Sequence, residues 1–147
     1  MKDAFLEAAI REAKSGLANQ NGIPIGSVLV IDGQIVGRGH NKRVQSGSPI
    51  LHAEMDCLDN AGRLGANEYR RAILYTTLSP CIMCTGTILL FKIPQVIVGE
   101  NQNFLGAETL LTQHRVRLAV LNHPACIELM RSFIANHPDL WKEDIGE

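Results

Sequence analysis

The sequence predicts one α/β domain over residues 1–147, a three-layer helix–sheet–helix sandwich with a mixed sheet of about five strands. Three observations carry this. After residue 50, short Val/Ile/Leu-rich runs alternate with helical patterns, the βα order that pairs strands in parallel. Earlier, two apolar runs flank Asp32-Gly33, a two-residue hairpin signal that adds antiparallel pairing. A length of 147 residues and an apolar fraction of 46% suit a single core, and no repeat, linker or low-complexity stretch divides the chain.

Each element has its own signal. Residues 2–18 place Phe5, Leu6, Ala9, Ile10 and Ala13 on one face and Lys2, Glu7, Arg11 and Lys14 elsewhere, an amphipathic helix closed near Gly16. Residues 25–31 and 34–38 are the hairpin strands, and 41–51, with Gly, Ser, Pro and Asn, read as a loop. Residues 52–61 read as a helix with Met55 and Leu58 inward and Gly62 as its stop. A strand over 72–77 leads to an apolar helix over 81–91, with Ser79 as its cap and Pro80 in its first position. Strand 95–98, a short helix at 109–113 and a weaker strand at 116–121 follow. Residues 124–136 form a helix with Cys126, Leu129, Met130 and Phe133 inward, and 138–145 read as a polar tail around Trp141.

The formal net charge of −1 offers no basic surface for nucleic acid or acidic membrane. No apolar run approaches the ~20 residues of a membrane span, and the charged N-terminal pattern is unlike a secretory signal. The expectation is a cytoplasmic protein whose four cysteines are thiols or metal ligands.

Two short motifs concentrate the reactive side chains: His52-Ala53-Glu54 and, after Ser79, Pro80-Cys81-Ile82-Met83-Cys84. A Cys-x-x-Cys pair opening a helix puts two sulfurs on one face, and the helix N-terminus favours thiolates. Two thiolates accept Zn²⁺ at about 2.3 Å, and His52, at the start of another helix, adds an imidazole nitrogen. Three protein ligands leave a fourth position for water, the pattern of catalytic zinc. Cys57 and Cys126 stand alone on apolar helical faces and are expected in the core. Glu54 lies two residues from His52, and helix positions i and i+2 point different ways, so its carboxylate is expected to shuttle protons rather than ligate. A redox pair and a structural zinc site are the competing readings of Cys-x-x-Cys. The Ile-Met between the cysteines departs from thioredoxin-like motifs, and the compound spacing is more specific than either half. His40, His114, His123 and His137 have no motif around them and read as surface or capping residues.

The two motifs match the signature of the cytidine deaminase-like zinc enzymes, His-x-Glu followed by Pro-Cys-x-x-Cys. Within that superfamily the chain resembles the fungal-type cytosine deaminases from about Gly22 onward. The resemblance rests on Gly22-Ile-Pro-Ile-Gly26, Gly37-Arg-Gly-His-Asn41, Asn60-Ala-Gly-Arg-Leu64, Leu74-Tyr-Thr-Thr-Leu-Ser-Pro-Cys81, Val98-Gly-Glu-Asn101 and Trp141-Lys-Glu-Asp-Ile-Gly-Glu147. It implies one catalytic zinc per subunit on His52, Cys81 and Cys84, with Glu54 as general acid/base. It implies that Asn41 binds the pyrimidine edge, that Asp144 accepts from the exocyclic amine, and that Phe104 and Trp141 wall the ring. Ile25, Ala53 and the Ser79 backbone would complete the pocket, and the protein would be a homodimer. Two features depart from the pattern: Val44 replaces a phenylalanine, and the first hairpin turn is two residues shorter.

The implied reaction is hydrolysis of a free nucleobase, cytosine to uracil and ammonia. Isocytosine, guanine or a triazine are alternative substrates, given Val44. Adenosine in tRNA would call for a basic surface that this composition lacks. A non-catalytic zinc-binding interaction module is the reading from another class, and Glu54 together with the missing fourth ligand argues against it.

Overall fold

The structure, a computed structural model, describes residues 3–147. In chain order its elements are α1 (Ala4–Ala18), β1 (Gly26–Ile31), β2 (Gln34–His40), α2 (Arg43–Ser46), α3 (Ala53–Ala61) and α4 (Ala66–Tyr69). These are followed by β3 (Ala72–Thr76), α5 (Ile82–Phe91), β4 (Gln95–Val98), α6 (Glu108–Gln113), β5 (Arg117–Val120), α7 (Pro124–Asn136) and α8 (Pro138–Asp144).

Asp3 starts α1 by accepting from the backbone N–H of Phe5 at 3.0 Å and of Leu6 at 3.2 Å. Leu6, Ala9, Ile10 and Ala13 of the expected face are buried, with Phe5 at their edge. Lys2, assigned to the polar face, lies outside the described residues. The helix passes Gly16 and ends at Ala18, because Gly16 is a packing position against the His40 ring rather than a stop.

The five strands form one sheet in the order β2-β1-β3-β4-β5. β1 runs antiparallel to β2 and β3, whereas β3, β4 and β5 are parallel. The hairpin turn has φ of 50° at Asp32 and 76° at Gly33, the doubly positive conformation that Asp-Gly favours. α5 and α6 cross over between the parallel strands, as the βα alternation requires.

Every residue of β1 is buried, since helices cover both faces of the sheet. Leu29, Ile31, Leu74, Val96 and Val98 pack with Cys57 and Leu58 of α3, Ile88 of α5 and Leu111 of α6. Val28, Val30 and Tyr75 face the other way, onto Leu6 and Ile10 of α1 and Cys126 of α7. A third apolar cluster joins Ile23, Ile25, Ala53, Leu78, Met130, Phe133 and Trp141. It lies where β1 begins and β3 ends, beyond the carboxyl ends of the parallel strands, where open α/β sheets place their ligands.

α3 lies almost on the backbone of β2: a Cβ on Gly39 would sit 2.3 Å from the Cys57 nitrogen. The inward face of α3 differs from expectation. Met55 is only half-buried, while Glu54 and Asp56 are buried. Asp56 has its reason, since its Oδ2 accepts from the His40 N–H at 3.1 Å and pairs with Lys42 Nζ at 3.1 Å. Of three further helices, α2 and α8 stand where the sequence reads as loop and tail, and α4 stands in a stretch to which the sequence assigns no element.

Candidate active site and metal centre

Both motif segments end their loops at the same rim of the sheet. His52 is the residue before α3 and Cys81 the residue before α5, each with extended backbone and no side-chain cap. Ser79 therefore does not cap α5. Its Oγ donates to Glu108 Oε2 at 2.6 Å and accepts from the Gly106 N–H at 2.9 Å, tying the turn before the cysteines to the loop opposite.

His52 Nδ1 lies 3.3 Å from Cys81 Sγ and 3.8 Å from Cys84 Sγ. One ligand atom from each of the three residues falls within 4.8 Å of the others, and no further protein donor joins this metal-ready trio among the described residues. Tetrahedral zinc places imidazole nitrogen and thiolate sulfur about 3.6 Å apart, so the donor set and its spacing fit the ion. His52 Nε2 lies 3.1 Å from the Asp144 carbonyl oxygen and donates to it, leaving Nδ1 to face the sulfurs.

Charge is arranged to match. A hydrogen bond from the Cys84 thiol pulls Cys81 down to about 4, against its burial, with His52 assisting. Cys84 is pushed far up by the Cys81 thiolate and by burial. Burial presses His52 down, but the Cys81 hydrogen bond and the Asp144 and Glu54 carboxylates outweigh it and hold His52 near 9. Glu54 faces the same pocket, and burial pushes its carboxyl up to about 7, against the attraction of His52. A carboxyl with that affinity both takes and returns a proton near neutrality.

The pocket is lined by both aromatic walls, Phe104 and Trp141, along with Ile25, Ser79, Asp144 and the metal-side residues. Phe104 and Trp141 meet edge to face with centroids 5.6 Å apart. Asn41, fully buried at the end of β2, donates from Nδ2 to Asp144 Oδ1 at 2.9 Å and accepts at Oδ1 from the Arg43 N–H at 3.0 Å. Arg43 also sets its guanidinium 3.5 Å from Asp144 Oδ1. Ala53 and Asn41 are not on the lining: Ala53 is buried in the apolar cluster beneath, and Asn41 meets the pocket wall only through its bond to Asp144. Val44 is half-buried in α2 and does not line the pocket either. Leu78, Ile145 and Arg43 belong to this neighbourhood without having been singled out. Ile145 had a signal, its helical spacing of four from Trp141, whereas Arg43 had none. A wider groove of about 560 Å³ lies between α1 and α7, lined among others by Lys14, Glu128 and His137, away from the metal-ready trio.

A three-layer α/β sandwich with His-Cys-Cys at two helix starts and a buried, non-ligating Glu beside them defines a zinc-dependent deaminase. The chain belongs to the cytidine and deoxycytidylate deaminase family, whose zinc-binding region matches residues 1–100. It is 50% identical over 143 residues to the cytosine deaminase of Candida albicans, spanning 97% of this chain and 95% of that one. A tRNA-specific adenosine deaminase of Streptococcus pyogenes serotype M18 is 43% identical over 129 residues, 84% of this chain and 77% of that one. A solved chain from structural work on A-to-I editing by tRNA:A34 deaminases superposes with a TM-score of 0.73 at 27% identity, covering 87% of this chain and 99% of that one.

Proposed function

We propose that this chain is a free-base deaminase that hydrolyses cytosine to uracil and ammonia. The observation that carries this reading is the 50% identity to a cytosine deaminase along 97% of the chain. The Asp144 carboxylate on the pocket wall, an acceptor that suits an exocyclic amine and is held in place by the buried Asn41, supports it.

His52, Cys81 and Cys84 would hold the ion. Zinc, when bound, supplies a nucleophile at neutral pH by acidifying water. Glu54 takes the proton released and delivers it to N3 of the ring, then carries a second proton to the departing amine. Asp144 accepts from the exocyclic amine and Asn41 binds the ring edge, while Phe104 and Trp141 close over its face and keep bulk water out. One water is consumed and one ammonia leaves.

An ultraviolet assay of the zinc-loaded protein against cytosine, isocytosine, guanine and cytidine tests the substrate, with a tRNA substrate as the fifth arm. Turnover of cytosine at least about tenfold above the others is the expected outcome. Preference for tRNA adenosine would overturn the reading and place the chain with its Streptococcus relatives.

The same reading takes residues 1–147 as one deaminase domain, acting in the cytoplasm in the salvage of pyrimidine bases without a nucleic-acid partner. Its four cysteines are all free, which suits a reducing compartment. It forms a homodimer, supported by the exposed apolar side chains of Ile50, Ile82, Leu90 and Leu105. Light scattering that returns a mass near 16.1 kDa would refute the dimer.

A further inference from the structure

Glu100 takes no part in the chemistry above, yet it is fully buried two residues past β4, and no cation pairs with it among the described residues. A buried carboxylate without a cation has to be satisfied by hydrogen bonds. Here all of them come from one loop. Oε2 accepts from the Gln102 N–H at 2.6 Å and the Asn103 N–H at 2.9 Å, and Oε1 accepts from Asn103 Nδ2 at 2.8 Å. Asn103 Nδ2 also donates to the Ile127 carbonyl on α7 at 2.9 Å, so the loop is fixed to the body of the domain at residue 103. The next residue is Phe104. On its main chain, Glu100 accepts from the Ser79 N–H at 2.9 Å, in the turn that leads to Cys81.

One residue therefore joins the turn before the metal ligands to the loop that carries the aromatic wall. We infer that Glu100 is a positioning residue: it sets Phe104 against Trp141 and so fixes the width of the slot that takes the base. Charge-assisted bonds to two backbone N–H groups restrain a loop more than neutral contacts would. The inference deepens the reading of this pocket as a base-binding slot. Its first test does not depend on that reading.

Trp141 is the only tryptophan, so its fluorescence reports the slot directly. In zinc-loaded Glu100→Gln, acrylamide quenching of Trp141 should rise about twofold, because one carboxylate oxygen becomes a donor facing donors. In a Phe104→Ala background the same substitution should add no further quenching, since its effect runs through that ring. Unchanged quenching in Glu100→Gln, or effects that simply add, would overturn the inference. With cytosine as substrate, KM should rise about tenfold with kcat within about threefold and one zinc per chain retained. Loss of zinc and kcat at unchanged KM would assign Glu100 to the metal turn instead and sink the proposal. If the wild-type chain turns over no cytosine, the substrate reading fails while the quenching cycle still decides the role of Glu100. Should Glu100→Gln not fold, Asn103→Ser removes the side-chain bonds alone, and the same non-additive quenching with Phe104→Ala is expected; its absence would be equally fatal.

Discussion

The two sides of the pocket are built by different means. His52, Glu54, Cys81 and Cys84 sit at or within the first turns of two helices, so helix geometry places them. Asn41, Phe104, Trp141 and Asp144 come from three separate segments, and the Asn41–Asp144 bond spans 103 residues of sequence. One side is set by local backbone, the other by tertiary closure. They touch where His52 Nε2 donates to the Asp144 carbonyl. Damage to the first side should therefore appear in metal content and kcat, and damage to the second in KM and selectivity.

The largest expected effect is on the metal side. Cys84→Ala should lower zinc well below one per chain by elemental analysis and cut turnover by more than about 10⁴-fold. Glu54→Gln should keep its zinc and lose about 10³–10⁴-fold in kcat; a variant that loses the metal instead would make Glu54 a ligand and erase the distinction between shuttle and trio. The same variant has a signature in stability. Burial raises Glu54 from 4.5 to about 7, so the folded chain holds that proton more tightly than the unfolded chain. Stability is then lost as pH rises from 4.5 through 7, and Glu54→Gln removes the loss. Metal-free Glu54→Gln should be more stable than wild type by up to about 3 kcal/mol above pH 7, an advantage that fades below pH 4.5, as urea melts at several pH values would show.

On the far side, Asp144→Asn should lower kcat/KM for cytosine about 10²-fold with zinc intact, because its carbonyl still holds His52. Loss of zinc in that variant would show that the two sides are one unit. The smallest effect is expected from Trp141→Phe, about fivefold in KM at nearly constant kcat, measured by initial rates.

The same contrast explains what could be read from the sequence. His-x-Glu and Pro-Cys-x-x-Cys are local patterns, and the strands and long helices around them have clear apolar periods. Asn41, Phe104, Trp141 and Asp144 were reached only through resemblance, since nothing local marks an Asp near a chain end as buried. α2 and α4 have four residues each, too few to show a period, and α8 carries only Leu140 and Trp141 as apolar residues. Ser79 has the residue type of a cap but spends its hydroxyl on Glu108 and Gly106, three-dimensional neighbours that the sequence does not reveal. Glu54 breaks the rule that polar helix positions face water, because the first turn of α3 faces a pocket rather than solvent.

Gly39 belongs to neither the metal trio nor the pocket lining, yet a side chain there would run into the Cys57 nitrogen and push α3 away from β2. In a library that varies every position and scores only turnover, Gly39 would look as intolerant as Cys84. A map drawn from such scores would enlarge the apparent active site toward the hairpin. Measuring protein abundance alongside turnover would separate the two: Cys84 variants should accumulate and do nothing, while Gly39 variants should not accumulate.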